Sequence, residues 1–222
     1  MDNVKVSRLF DLTHTAAGAY LADLQYPWEA LDRIGDIIKA IGCTLASELY
    51  VRMTEDVWVS KSATVAPTAF IGGPAIIGHG TEIRHGAFIR GNALIGEGCV
   101  VGNSTELKNC ILFDGVQVPH YNYVGDSILG YKAHLGAGAI TSNVKSDKSL
   151  VEIRLGDGAR FSTGRKKVGA MLGDFVEIGC GAVLNPGAVI GRETSVYPLT
   201  SVRGVIPENS ILKADGTVVK RV

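Results

Sequence analysis

The sequence predicts an all-β solenoid, and three observations predict it. An aliphatic residue falls at every sixth position through Val59, Val65, Ile71, Ile77, Ile83, Ile89, Ile95, Val101 and Leu107. The beat returns at Leu172, Ile178, Leu184, Ile190, Val196 and Val202. Glycine follows many of these positions, as in Ile77-Gly78, Ile95-Gly96 and Ile190-Gly191. A sustained period of six fits neither a helix nor an isolated strand, but it fits coils of three six-residue sides. The aliphatic column then stacks inward, and glycines take the corners where the backbone needs positive φ.

Composition bounds the rest. The 222 residues suffice for one continuous solenoid core. The 22 basic and 22 acidic side chains balance, so no global field favours nucleic acid or an anionic membrane, and any anion site is local. Cys43, Cys99, Cys110 and Cys180 are too scattered for a zinc or disulfide framework and read as reduced thiols. No apolar run spans a bilayer and the first residues lack a signal-peptide core, so a cytoplasmic location is expected.

Residues 1–55 lie outside the beat and are expected to form a helical segment. Proline suits a first helical position and glycine a stop, which predicts a helix over Pro27–Ile41 ending at Gly42. Its Trp28, Leu31, Ile34, Ile38 and Ile41 share one face, expected to pack on the open end of the solenoid. Residues 12–24 read as a second, weaker helix. The solenoid is expected over 56–208, with its rhythm breaking near Phe113-Asp114-Gly115 and again through the polar, aromatic Pro119-His120-Tyr121-Asn122-Tyr123. A lapse in a strict repeat is where a site is expected. An insertion over 145–167 reads as a hairpin around Gly156-Asp157-Gly158, and residues 209–222 as a capping hairpin around Asp215-Gly216.

In a coil of eighteen, residues eighteen apart are neighbours on adjacent rungs, about 4.8 Å apart. Arg90 and Lys108 stand so. Two stacked cations call for an anion, and a phosphate is the natural occupant. The alternatives are that they splay into solvent or pair with Glu106. His120, twelve residues beyond Lys108 in the irregular stretch, is a candidate general base. His79 and His85, six apart, fall on different sides of a coil and do not form a metal pair within one chain.

Three ordered motifs then carry a resemblance: Gly102-Asn103 with Glu106 and Lys108, His120 with Tyr123 and Gly125-Asp126, and Gly136-Ala137-Gly138 with Ile140-Thr141 and Asn143. Across roughly 57–205 the chain resembles the acetyltransferase domain of the bacterial bifunctional glucosamine-1-phosphate acetyltransferase/N-acetylglucosamine-1-phosphate uridylyltransferase, of the hexapeptide-repeat acyltransferase superfamily. The resemblance implies a left-handed parallel β-helix assembled as a homotrimer, with acetyl-CoA between protomers and an amino-sugar phosphate as acceptor in cell-envelope precursor synthesis. It implies His120 as general base. Arg90, Lys108, Tyr123, His134 and Asn143 match the substrate pocket, and Cys180 and Lys167 the cofactor region.

His134 stands where that family has asparagine, Val144 where it has tyrosine, Ser142 where it has cysteine and Cys180 where it has serine. Tyr26-Pro27-Trp28-Glu29-Ala30-Leu31 resembles the junction that ends sugar-nucleotidyltransferase domains, but no glycine-rich nucleotide loop precedes it, so nucleotidyl transfer is not expected. Two other readings stand beside the enzyme. One is a sugar-phosphate-binding subunit that docks a separate nucleotidyltransferase through the N-terminal helix. The other is a trimeric, carbonic-anhydrase-like metalloenzyme.

Overall fold

A computed structural model describes residues 2–156 and 158–221, so Asp157, expected in the hairpin turn, lies outside the described residues. The chain winds into a left-handed parallel β-helix whose coils have three sides. Side one stacks Thr64–Val65, Glu82–Ile83, Val100–Asn103, Gln117–His120, His134–Leu135, Glu177–Ile178, Ser195–Val196 and Ser210–Leu212. Side two runs from Phe70–Ile71 through Phe88–Ile89, Glu106-Leu107 and Tyr123-Val124 to Ser201–Val202. Side three runs from Val57–Ser60 through Ala75–Ile77, Ala93–Ile95 and later rungs to Val205–Ile206. The inward aliphatics are buried: Ile83, Ile89, Ile95, Leu107, Leu129 and Leu184 are at most 1% exposed.

Coil length is not constant. Thr64 pairs with Glu82 and Glu82 with Val100, eighteen apart, but Val100 pairs with Gln117 and Gln117 with His134, seventeen apart. The missing residue is at the corner between sides two and three. Leu107 still pairs with Ile89, whereas Cys110 already pairs with Ala93. The break expected near Phe113–Gly115 therefore lies a few residues earlier, at Lys108-Asn109. The strand Glu106–Leu112 runs through this tightened corner without interruption.

Side three differs from the others in being apolar outside as well as inside. Ile76, Leu94, Ile111, Ile128, Met171 and Val189 point outward and are all at most 3% exposed. The N-terminal segment covers the earlier of them, and the inserted strand Glu152–Arg154 lies against Ala188–Ile190. The N-terminal segment comprises α1 (Val6–Leu9), α2 (Gly18–Ala22), a 3₁₀ turn over Pro27–Ala30 and α3 (Ile34–Gly42). The expected helix over 27–41 is thus interrupted, because the Leu31 carbonyl accepts from Asn109 Nδ2 at 3.1 Å instead of from a helical N–H. The segment also packs along the side of the solenoid, against Ala75–Ile77, Ala93–Ile95 and Glu106–Leu112, not on its end. A parallel strand with two covered faces needs apolar residues at consecutive positions, and Ala75-Ile76-Ile77 and Ala93-Leu94-Ile95 supply them. The last residues of the expected helical region, Tyr50–Thr54, form a strand antiparallel to Val57–Ser60 that ends the stack.

The insertion leaves the same corner at Asn143 and returns at Val168, with Val144 bridging Lys167 at its neck. Its hairpin pairs Glu152–Arg154 with Arg160–Ser162. Phe161 packs against Tyr26 and Trp28, and Arg165 forms an ion pair with Asp32. The tail pairs Ser210–Leu212 with Val218–Lys220.

Candidate functional site

The tightened corner between sides two and three carries the first cluster. Asn92, Asn109 and Asp126 turn successive rungs there at φ 48°, 50° and 49°. Short polar side chains enter this left-handed region more readily than others, because they bond locally. The same side chains then face one another along the stack. Asp126, 4% exposed, accepts from Asn109 Nδ2 at 2.9 Å on one side and from Asn143 Nδ2 at 2.5 Å on the other. Lys108 Nζ adds an ion pair at 3.2 Å. A buried carboxylate is tolerable only with this degree of satisfaction.

Arg90 and Lys108 do occupy adjacent rungs, yet each already has an anion. Arg90 Nη1 reaches Glu106 Oε1 at 2.7 Å, which raises the guanidinium's pKa, and Lys108 is held by Asp126. Of the alternatives open from spacing, pairing of Arg90 with Glu106 is the one realised. Tyr123 lies outward on side two with its phenol folded across Gly125, where any Cβ would come within 2.4 Å of the hydroxyl. Asn143 Nδ2 donates to that hydroxyl at 3.1 Å. Burial, with the Asp126 carboxylate behind it, pushes the Tyr123 phenol above its usual range. Lys167, exposed at the neck of the insertion beside Val144, has no carboxylate within ion-pair distance among the described residues.

His120 stands at the other end of side two, at its corner with side one, where its backbone N–H donates to Asn122 Oδ1 at 3.1 Å. Among the described residues no hydrogen bond or ion pair joins it to Arg90, Lys108 or Tyr123. Between His120 and Gly125, the rung neighbour of Lys108, the chain turns a corner at Tyr121, φ 37°, and then runs along side two. Cys180 shares the His120 corner, two rungs on, through Gly138 N–H to His120 O at 3.1 Å and Gly181 N–H to Ala137 O at 2.8 Å. Gly138 and Gly181 turn that corner beneath the side chains of Tyr121 and Leu199, which are 59% and 83% exposed. His134 is on neither corner. It points outward from side one, with Nδ1 2.8 Å from Glu177 Oε2.

The expected site residues therefore fall into three places around the solenoid. Arg90, Lys108, Tyr123 and Asn143 come together, with Lys167 nearby; His120 and Cys180 line a second corner; His134 lies on side one. A uniform repeat of eighteen conceals Asp126, the centre of the first cluster. The signal is present as Asn109, Asp126 and Asn143 at intervals of seventeen. His79 and His85 are each held by a hydroxyl of the preceding coil, Ser60 at 2.7 Å and Thr68 at 2.9 Å.

Comparison with known proteins places the chain. A bifunctional protein GlmU of Methanococcus maripaludis is 33% identical over 91% of this chain and 49% of its own length. A bifunctional sugar-1-phosphate nucleotidylyltransferase/acetyltransferase of Sulfurisphaera tokodaii is 36% identical over 43% of this chain and 23% of its own. The chain thus spans no more than about half the length of these curated relatives. Among solved structures, the acetyltransferase domain of PglB from Neisseria gonorrhoeae, in complex with acetyl coenzyme A, aligns over 72% of this chain and 55% of that one, at 19% identity and a TM-score of 0.37. The family model described as the GMPPB C-terminal domain matches residues 73–206, most of the β-helix. On that match, the chain belongs to the GMPPB C-terminal domain family.

Proposed function

We propose that this chain is an acetyl-CoA-dependent N-acetyltransferase acting on an amino-sugar phosphate such as glucosamine-1-phosphate, in the cytoplasm and as a homotrimer. The observation that carries the reading is the corner at which Arg90, Lys108, Tyr123 and Asn143 gather around buried Asp126, with Lys167 as an uncompensated cation beside them. A phosphate entering there would exchange for Glu106 on Arg90. The acetyltransferase half of the Sulfurisphaera tokodaii relative's name agrees with the chemistry.

The corner at Gly138 and Gly181 would offer an extended thioester arm the exposed Tyr121 ring, the Leu199 side chain and the open Cys180 thiol to lie along. Acetyl-CoA would supply an activated acyl group. His120 would accept the proton that the acceptor amine loses as its nitrogen attacks, and the departing thiolate would take up a proton as the thiol. Such transfer needs orientation more than further chemistry. Because His120 and the cationic corner lie at opposite ends of side two, the active centre is assembled when a neighbouring protomer brings its own corner to the first. Trimer formation is therefore part of the proposal.

The test is thiol release from acetyl-CoA in the presence of glucosamine-1-phosphate, which His120→Ala should abolish while leaving the protein folded. No turnover across a panel of amino sugars and their phosphates would overturn the reading. A second reading, a non-catalytic sugar-phosphate-binding subunit of a separate nucleotidyltransferase, draws on Val144, on His134 turned to Glu177, and on the carboxylates already seated on Arg90 and Lys108. Docking through the apolar face of α3 does not fit, since that face is spent on side three: Ile34 and Ile38 are fully buried. Calorimetric binding of the sugar phosphate without any binding of acetyl-CoA would favour this reading.

A further inference from the structure

Side one carries a cleft of about 560 Å³ lined by Gln117, Lys132, His134, Phe175, Glu177 and Arg221, remote from the Asp126 corner. Its charge balance is the reverse of that corner's. Neither Lys132 nor Arg221 has a carboxylate within ion-pair distance among the described residues. Lys132 Nζ rests over the Tyr131 ring, 5.0 Å from its centroid, and Arg221 Nη1 is steadied by the Glu193 carbonyl at 3.0 Å. The Glu193 carboxylate lines an adjoining depression without pairing to Arg221. The one carboxylate among the described residues that line the cleft, Glu177, is engaged by His134 Nδ1, which turns the other ring nitrogen of His134 away from it. Two uncompensated cations in one concavity attract an anion more strongly than two that are already paired.

The backbone sets where the cleft's Lys132 and Phe175 side chains stand. Successive rungs turn from side three to side one through a left-handed residue, and in the upper coils that residue is glycine: Gly80, Gly98 and Gly115, at φ 62°, 60° and 70°. Gly98 and Gly115 border the cleft too, and on the following rungs the same position holds Lys132, Phe175, Glu193 and Asn209, at φ 56°, 58°, 55° and 53°. A bulky side chain in this region carries backbone strain that glycine would avoid. Phe175 remains 40% exposed, edge-on to Tyr131 at 5.3 Å, so burial does not repay the strain. Its exposed ring is a flat apolar wall beside two cations.

We infer that this cleft binds a phosphorylated, ring-bearing small molecule, its phosphate between Lys132 and Arg221 and its ring against Phe175. A nucleotide and a sugar phosphate share this chemistry. The inference does not depend on the proposed acetyl transfer, because none of its three residues belongs to the Asp126 corner or to the His120 corner.

The test is calorimetric titration of the full chain at low salt with three probes: inorganic phosphate, adenosine 5′-monophosphate and glucosamine-1-phosphate. Lys132→Gln combined with Arg221→Gln should weaken adenosine 5′-monophosphate at least tenfold, and glucosamine-1-phosphate likewise when Arg90→Ala and Lys108→Ala remove the proposed acceptor site, whereas Arg90→Ala combined with Lys108→Ala alone should leave adenosine 5′-monophosphate binding within twofold. Phe175→Gly, which restores the residue the backbone favours, should keep the protein at least as stable. It should weaken the ring-bearing probes and spare inorganic phosphate. Whichever ring-bearing probe shows the larger loss at Phe175 names the source. Undiminished adenosine 5′-monophosphate binding in the Lys132/Arg221 variant, or no binding of any probe at millimolar concentration, overturns the inference. Equal loss of all three probes in the Phe175 variant overturns the role given to the ring.

Discussion

Sides two and three of the coil share one inner column and differ in what they turn outward. On side three the outward residues are Ile76, Leu94, Ile111 and Ile128, and the N-terminal segment lies over them. On side two they are Phe70, Phe88, Glu106 and Tyr123, of which the two phenylalanines are 58% and 43% exposed and meet at 5.5 Å with their rings tilted by 56°. The inward positions make both sides equally good solenoid. The outward positions decide whether a side is used for cohesion or left for ligands and neighbours.

The contrast can be broken most sharply at matched positions. Leu94→Asp buries an unpaired carboxylate beneath α3 and should cost about 3–5 kcal/mol, whereas Phe88→Asp on side two should change stability by less than about 1 kcal/mol. Denaturant melts measure both, and equal losses would erase the distinction. At the corner between the two sides, Asp126→Ala removes a left-handed turn residue and the anion that holds Lys108, and should cost about 2–3 kcal/mol. Asp126→Asn keeps the turn, so it should regain much of the stability while still impairing any activity of the site. If both variants are equally unstable, the turn does not explain part of the loss.

The smallest effect concerns pH, where the covering segment meets the rim of side three. Burial pushes the Asp114 carboxyl up, against the Glu97 N–H that it accepts at 2.8 Å. A carboxyl whose folded pKa is raised favours the folded state while protonated. That contribution is lost as pH rises from the unfolded value through the folded one. Asp114→Asn, which can still accept from Glu97, should therefore stabilise the protein slightly at neutral pH and lose its advantage below about pH 4. An advantage that grew on acidification would mean that the Asp114 carboxyl is shifted down, not up.

The solenoid was legible because its inner column is repetitive and chemically uniform. The covering of side three was legible too, in apolar triplets such as Ala75-Ile76-Ile77 and Ala93-Leu94-Ile95, but a rule that counts every sixth residue passes over the middle one. The change from eighteen to seventeen residues was harder. Deleting one residue at Lys108-Asn109 leaves the local composition unchanged and shifts only what faces what, so Asp126 emerges as a hub only when Asn109 and Asn143 are brought against it. Arg90 and Lys108 were placed together by spacing alone, but their partners, Glu106 and Asp126, depend on side-chain reach that spacing does not carry. The interruption of the N-terminal helix at Leu31 had no local cause in sequence; its cause is Asn109, 78 positions away.

The covering segment also changes how such a chain can be made. A plain solenoid can grow rung by rung, each coil settling on the last. Here the Leu9 carbonyl accepts from the Asp174 N–H, at 3.0 Å, and Arg8 pairs with Glu208, at 2.8 Å, so residues made before the solenoid wait for partners in its late rungs. Until those late rungs exist, the apolar outer face of side three has only part of its cover. Synthesis thus holds open a hydrophobic stripe that the late rungs close, and a chain cut short before residue 174 should be prone to aggregate even though every coil it contains is intact.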